Sequence, residues 1–115
     1  MPSLVELAGT TYNTVAASQT TQALVGSANR PTGYFTGKGA AGDVLVRLVI
    51  QPAATTIGVV TVFDGTTAVL SYPGSAAVGA ALLPFSVEIN AKSVTGAWNI
   101  TTGASVSVVA VGQFS

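Results

Sequence analysis

Residues 43–51 of this 115-residue chain read DVLVRLVIQ, a run of β-branched and leucine side chains closed by Pro52. Side chains branched at Cβ lose rotamer freedom in a helix and stack well on a pleated surface, so the run predicts a strand. Proline ends it because it has no N–H to give to a ladder. At the two-residue period of a strand, Val44, Val46, Leu48 and Ile50 form one continuous apolar face. Leu45 and Val49 flank Arg47 on the other, so both faces are expected to be covered in part. Elsewhere short runs of Val, Thr, Ile, Phe and Tyr alternate with Gly, Pro, Asn and Asp about every ten residues. A chain punctuated so often has no room for a long helix, and no segment predicts one.

Residues 57–63 and 66–72 read as two strands joined at Asp64-Gly65, a pair whose members both tolerate positive φ and so favour a hairpin. On the first, Ile57, Val59, Thr61 and Phe63 share a face, with Val60 and Val62 opposite. Residues 73–84, rich in Gly and Ala, read as a loop. Residues 85–90 alternate, Phe85, Val87 and Ile89 inward and Ser86, Glu88 and Asn90 outward. The last third reads as a meander of 92–94, 97–101 and 104–114, in which Trp98 and Ile100 pack beside Val106, Val108 and Ala110 of the next strand. That final strand is apolar on its other face too, through Val109 and Val111, which requires it to be central or covered by a neighbouring subunit.

The first forty residues are more ambiguous. Residues 4–7 fit a helical turn or a strand equally. The Thr-, Ser-, Asn- and Gln-rich stretch 10–22 fits an edge strand or an arm that orders on a neighbour. Residues 22–26 predict a short strand and 29–42 a glycine-rich loop. The expected fold is all-β: a single β-sandwich or jelly-roll-like domain of about seven to eight antiparallel strands. An N-terminal arm with possible edge strands is expected over 1–28, and the sandwich over 29–115.

Composition narrows the function classes. Only 7% of residues are charged, against about 25% in an ordinary soluble domain. Glu6, Asp43, Asp64 and Glu88 cancel Arg30, Lys38, Arg47 and Lys92. Four scattered cations cannot build a groove for nucleic acid, so no nucleic-acid partner is expected. A net charge of zero gives little repulsion between copies and favours association. No apolar run approaches the ~20 residues of a membrane helix, and no membrane partner is expected. The N-terminus lacks the basic and apolar regions of a leader, so synthesis in a cytoplasm from Met1 is expected.

Cysteine and histidine are both absent, which removes disulfides, thiolate metal sites, the commonest general base and the commonest metal ligand. No catalytic residue, cofactor or metal is therefore expected. Gly37-Lys38-Gly39-Ala40-Ala41-Gly42 matches G-x-G-x-x-G, but a dinucleotide loop needs a strand before it and a helix after it. Lys38 and Lys92 read as solvated, Asp64 as a turn residue and Asp43 as the start of a strand. Asn99-Ile100-Thr101 fits the glycosylation acceptor pattern but falls in a predicted strand. Trp98 reads either as a core residue or as the platform of a sugar site with Asn99, Asn90 and Glu88 around it. Arg47 either snorkels to the surface or pairs between subunits with an acid such as Glu88. The residues expected at an interface are Leu4, Val5, Leu7, Tyr12, Arg47, Val109 and Val111.

Taken together, MPSLVEL, TTQALVGS, the Gly/Ala loop, DVLVRLVIQP and the closing GAWNITTGASVSVVAVGQF resemble the small virion structural proteins of tailed bacteriophages. The resemblance is one of overall style across most of the chain and carries over no functional residue. It implies a non-enzymatic protein of the virion, made in the bacterial host, that decorates or cements a capsid. It further implies oligomers, often trimers, of β-sandwich or jelly-roll domains. The partners it implies are further copies of the chain and the major capsid protein or another virion protein. The rival readings are a tail or fibre component, or a carbohydrate- or receptor-binding module using Tyr34, Phe35, Tyr72 and Trp98.

Overall fold

The computed structural model describes residues 11–26, 38–54, 56–72 and 84–115. They form eight strands and no helix: β1 (Thr11–Val15), β2 (Gln22–Ala23), β3 (Val44–Pro52), β4 (Val60–Asp64), β5 (Thr67–Tyr72), β6 (Phe85–Lys92), β7 (Trp98–Thr102) and β8 (Val106–Gln113). The strands make two four-stranded sheets, ordered β1-β8-β3-β6 and β2-β7-β4-β5, and every pairing is antiparallel. β1 pairs with β8, β2 with β7, β3 with β6 and β4 with β5. The chain is thus one long hairpin bent at β4–β5 and rolled into two layers, which is the jelly roll. The all-β sandwich expected from the punctuation is the fold observed.

The expected meander is not. β6, β7 and β8 alternate between the two sheets. Trp98 and Ile100 share the interior with Val106, Val108 and Ala110 across the sandwich instead of beside them in one sheet. Local alternation marks which residues face inward but carries no information on which layer a strand joins.

A second correction concerns β3. Its partners on β8 run from Leu45↔Gly112 directly to Arg47↔Val111, so Val46 is an extra residue with no partner there. The β6 side skips at the same level, from Leu45↔Ala91 to Arg47↔Glu88, and Asn90 takes a left-handed φ of 51°. A bulge resets the inward–outward alternation. Leu45, Leu48 and Ile50 therefore face the core, and the continuous even-numbered face does not exist. The hairpin also shifts by one residue. Asp64 closes β4 opposite Thr67, and the two-residue loop is Gly65-Thr66 with positive φ at Gly65 alone, the type II′ pattern.

The core lies between the layers: Val15, Leu45, Leu48, Ile50, Val106, Val108 and Ala110 from one sheet against Val60, Val62, Trp98 and Ile100 from the other. Leu24, Ile57 and Phe114 fill its ends. Its two long sides are sealed differently. At β5–β6, Tyr72 and Phe85 meet with ring centroids 5.1 Å apart. At β1–β2, the Asn13 amide donates to the Val25 carbonyl (3.3 Å) and accepts from the Val25 N–H (3.2 Å), while Gln22 Nε2 donates to the Thr14 carbonyl (2.9 Å). Side-chain amides there replace the ladder that two separate sheets cannot share. The Thr102 hydroxyl, donating to the Ala16 carbonyl and accepting from the Gln19 N–H, fastens the crossing between β1 and β2. The polar stretch that fitted either an arm or an edge strand thus supplies the edge strand β1, with Val15 in the core.

Candidate functional site

Strands paired directly opposite send side chains to the same face, so the registers of the first sheet specify its outer surface row by row. One row is Tyr12–Val111–Arg47–Glu88, crossing all four strands. The next is Thr14–Val109–Val49–Ser86. A third holds Ser107 and Gln51, joined side chain to side chain at 3.2 Å. Tyr12 is half exposed at 49%, Arg47 and Glu88 are exposed, and Val49, Val109 and Val111 are partly covered by their neighbours. Four of the residues expected at an interface, Tyr12, Arg47, Val109 and Val111, therefore share this one face. Leu4, Val5 and Leu7 lie outside the described residues, as do Tyr34 and Phe35.

Glu88 stands directly across from Arg47 within the chain, on the adjacent strand, which makes it a cross-strand neighbour of opposite charge. The Glu88 carboxylate accepts from Asn90 Nδ2 at 3.5 Å. The other large apolar exposures, Val59, Val69 and Val94, are single side chains scattered elsewhere, and isolated ones of that kind are ordinary. The rows are different because three valines and a tyrosine are contiguous. The sequence reading missed Val49, Thr14 and Ser86 as members. Val49 was within reach, two residues from Arg47 on a strand; the others depend on register.

Several of the remaining polar groups are occupied by the fold. The Gly39 N–H donates to the Ser115 carbonyl at 2.7 Å, and the Gly42 N–H faces both the carbonyl and the hydroxyl of Ser93. A strand follows, where a phosphate loop requires a helix. Asp43 is buried and accepts from the Ala40 and Ser115 N–H groups. Trp98 is 2% exposed, and its Nε1 donates to the Asp43 carbonyl at 2.9 Å. That overturns the sugar-platform reading of the ring, since a stacking surface has to be open. Asn99 Nδ2 donates to the carbonyls of Gly65 and Ala97, so its glycosylation pattern is spent on structure. Among the described residues no group of three carboxylates converges as a metal site, and there is no helix long and apolar enough to cross a membrane.

Asp64 is more than a turn residue. Its carboxylate accepts from the N–H groups of Val94 (2.9 Å), Thr95 (3.1 Å) and Gly96 (3.3 Å) and from the Thr95 hydroxyl. The Val94 N–H is the largest cause of a pKa lowered below the usual carboxylate value; partial burial opposes it, and the Thr95 and Gly96 N–H groups and the Thr95 hydroxyl add to the lowering. A carboxyl whose folded pKa is depressed contributes stability above its unfolded value of about 4, and loses it as pH falls through the folded value. Thermal melts should therefore show stability falling on acidification below about pH 4. Asp64→Asn should be less stable at pH 7 and should flatten that acid limb; an unchanged limb would show that the 94–96 turn is held otherwise.

No protein-family model, no curated protein and no solved structure matches the chain.

Proposed function

We propose that the chain is a non-enzymatic virion structural protein that decorates or cements a bacteriophage capsid by packing through its jelly-roll domain. The observation that carries this reading is the outer face of β1-β8-β3-β6, where contiguous Tyr12, Val111, Val109 and Val49 lie beside Arg47 and Glu88, the only charges in these rows. A face with that much apolar area and so little charge suits a permanent contact better than open water. The jelly roll is a fold of viral capsid domains, and also of lectins and cupins, so the fold supports the reading by analogy. Arrayed copies would add weak contacts into a durable shell through avidity. The major capsid protein or another virion protein is the proposed substratum, and the virion the proposed location.

Two of the rings that the carbohydrate-binding alternative would use are taken up by packing. Trp98 is interior, and Tyr72 is packed on Phe85.

The test is peptide mass spectrometry and antibody labelling of gradient-purified phage particles from cells that carry the gene. Stoichiometric amounts of the chain on the heads are expected. Label confined to tails would shift the assignment to the tail or fibre component, and absence from particles would overturn the reading.

A further inference from the structure

We infer that the occupant of the β1-β8-β3-β6 outer face is a second copy of this chain, related by a two-fold axis that runs along the strands between β8 and β3. The inference rests on the reading of the chain as a subunit that packs by this face. The choice of axis follows from where the charges and valines lie. An axis across the strands, along the first row, would set Arg47 on Arg47 and Glu88 on Glu88, which like charges forbid. An axis along the strands between β3 and β6 would bring Arg47 to Glu88 of the second copy. It would also leave β8, with Val109 and Val111, beyond the edge of the contact.

The axis between β8 and β3 keeps both valine-bearing strands in the contact and sets no like charges together, and under it each row meets itself reversed. Tyr12 faces Glu88 of the second copy, Val111 faces Arg47, Thr14 faces Ser86, and Val109 faces Val49. Each meeting is matched in kind. A phenol hydroxyl can donate to a carboxylate. A valine lies on the aliphatic stem of an arginine whose head reaches the rim. Hydroxyl meets hydroxyl, valine meets valine, and in the third row Ser107 meets Gln51. Such self-complementarity is what an isologous contact demands. Two four-stranded sheets packed face to face with aligned strands are a standard layer arrangement.

Four strands about 4.8 Å apart and three rows about 6.8 Å apart make a patch of roughly 400 Å² per copy. That lies at the weak end of specific interfaces. The pair should therefore form at high local concentration and be held by its neighbours in an array.

The test uses Val109→Lys and Val49→Asp, both outward-facing, with near-UV circular dichroism to verify that each variant keeps the native core. Sedimentation velocity up to about 1 mM should show a concentration-dependent dimer for the unaltered chain. Each variant alone should associate at least about tenfold more weakly. An equimolar mixture of the two should recover a dimer, and native mass spectrometry should identify it as the mixed species, because the introduced ammonium and carboxylate face each other across the axis. A monomer at the highest concentration, a trimer, a variant that dimerises undiminished, or a folded mixture that stays monomeric each overturns the two-fold pair. Detection of the chain in particles is independent of all these outcomes, so a particle-borne monomer would sink this inference and leave the capsid reading standing.

Discussion

Trp98→Ala is expected to cost about 3–5 kcal/mol, the range for removing a large aromatic from a packed interior. The ring is 2% exposed, among the largest fully buried side chains, and sits between sheets that have no other tryptophan to fill the space. A domain of this size has roughly 5–15 kcal/mol in total, so the variant should be partly unfolded well below the melting temperature of the parent. Trp98→Phe separates two contributions. It keeps most of the volume but removes the Nε1 donor to the Asp43 carbonyl. The same carbonyl also accepts from the Ser93 N–H, so it is not orphaned, and the phenylalanine variant should lose only about 1–2 kcal/mol. Urea titrations of the three proteins, followed by far-UV circular dichroism, check this order. Equal losses for alanine and phenylalanine would mean that the hydrogen bond, not the packing, holds the ring.

How much of this was legible beforehand divides along a physical line. Properties set by neighbours in sequence were readable. The strand at 43–51, the two arms about Asp64 and Gly65, and the alternation of Phe85, Val87 and Ile89 all appear, because side-chain period and turn chemistry act over a few residues. Properties set by distant partners were not. Nothing in Val44–Pro52 announces that Val46 is skipped; the skip shows only in the pairing of β3 with its neighbours, regular on β8 and broken at the same level on β6. Layer assignment failed for the same reason, since Val106 beside Trp98 and Val106 across from Trp98 require identical alternation. The N-terminal stretch was ambiguous because Asn13, Gln22 and Thr102 do with side chains what backbone pairing does elsewhere.

For the candidate face, the residue types were suggestive and the geometry was invisible. Arg47 and Val109 stand out in composition, yet only the registers place Tyr12, Val111, Arg47 and Glu88 in one line. Glu88, one of the acids that could meet Arg47 across subunits, is seated by the fold on the adjacent strand of the same chain. With Glu88 a cross-strand neighbour of Arg47 in the same chain, a self-contact has to draw its specificity from the whole row, not from a single ion pair.

Gly112→Ala should be nearly as damaging as the loss of Trp98, for a reason rooted in the β3 bulge. Gly112 lies on β8 opposite Leu45, just where Val46 is extruded. A Cβ there would run into the Val44 carbonyl oxygen, would come within 3.1 Å of Leu45 Cα and would press on the Phe114 ring at 2.9 Å. Two of those three atoms are backbone in the middle of a sheet and cannot swing aside. The chain can respond only by opening the β3–β8 ladder or by giving up the bulge. Giving up the bulge would restore strict alternation, and one of two segments would then turn inside out: Leu45 outward, or Arg47 and Val49 inward. Overpacking of this kind costs about 1–3 kcal/mol when side chains can yield, and more when backbone must. We therefore expect a loss of at least about 3 kcal/mol in urea unfolding, against less than about 1 kcal/mol for Ser107→Ala on the outward side of the same strand. A Gly112→Ala protein as stable as its parent would mean that the β3 bulge is not locked by β8. In that case the outward placement of Arg47 and Val49, on which the candidate face depends, would have no structural guarantee.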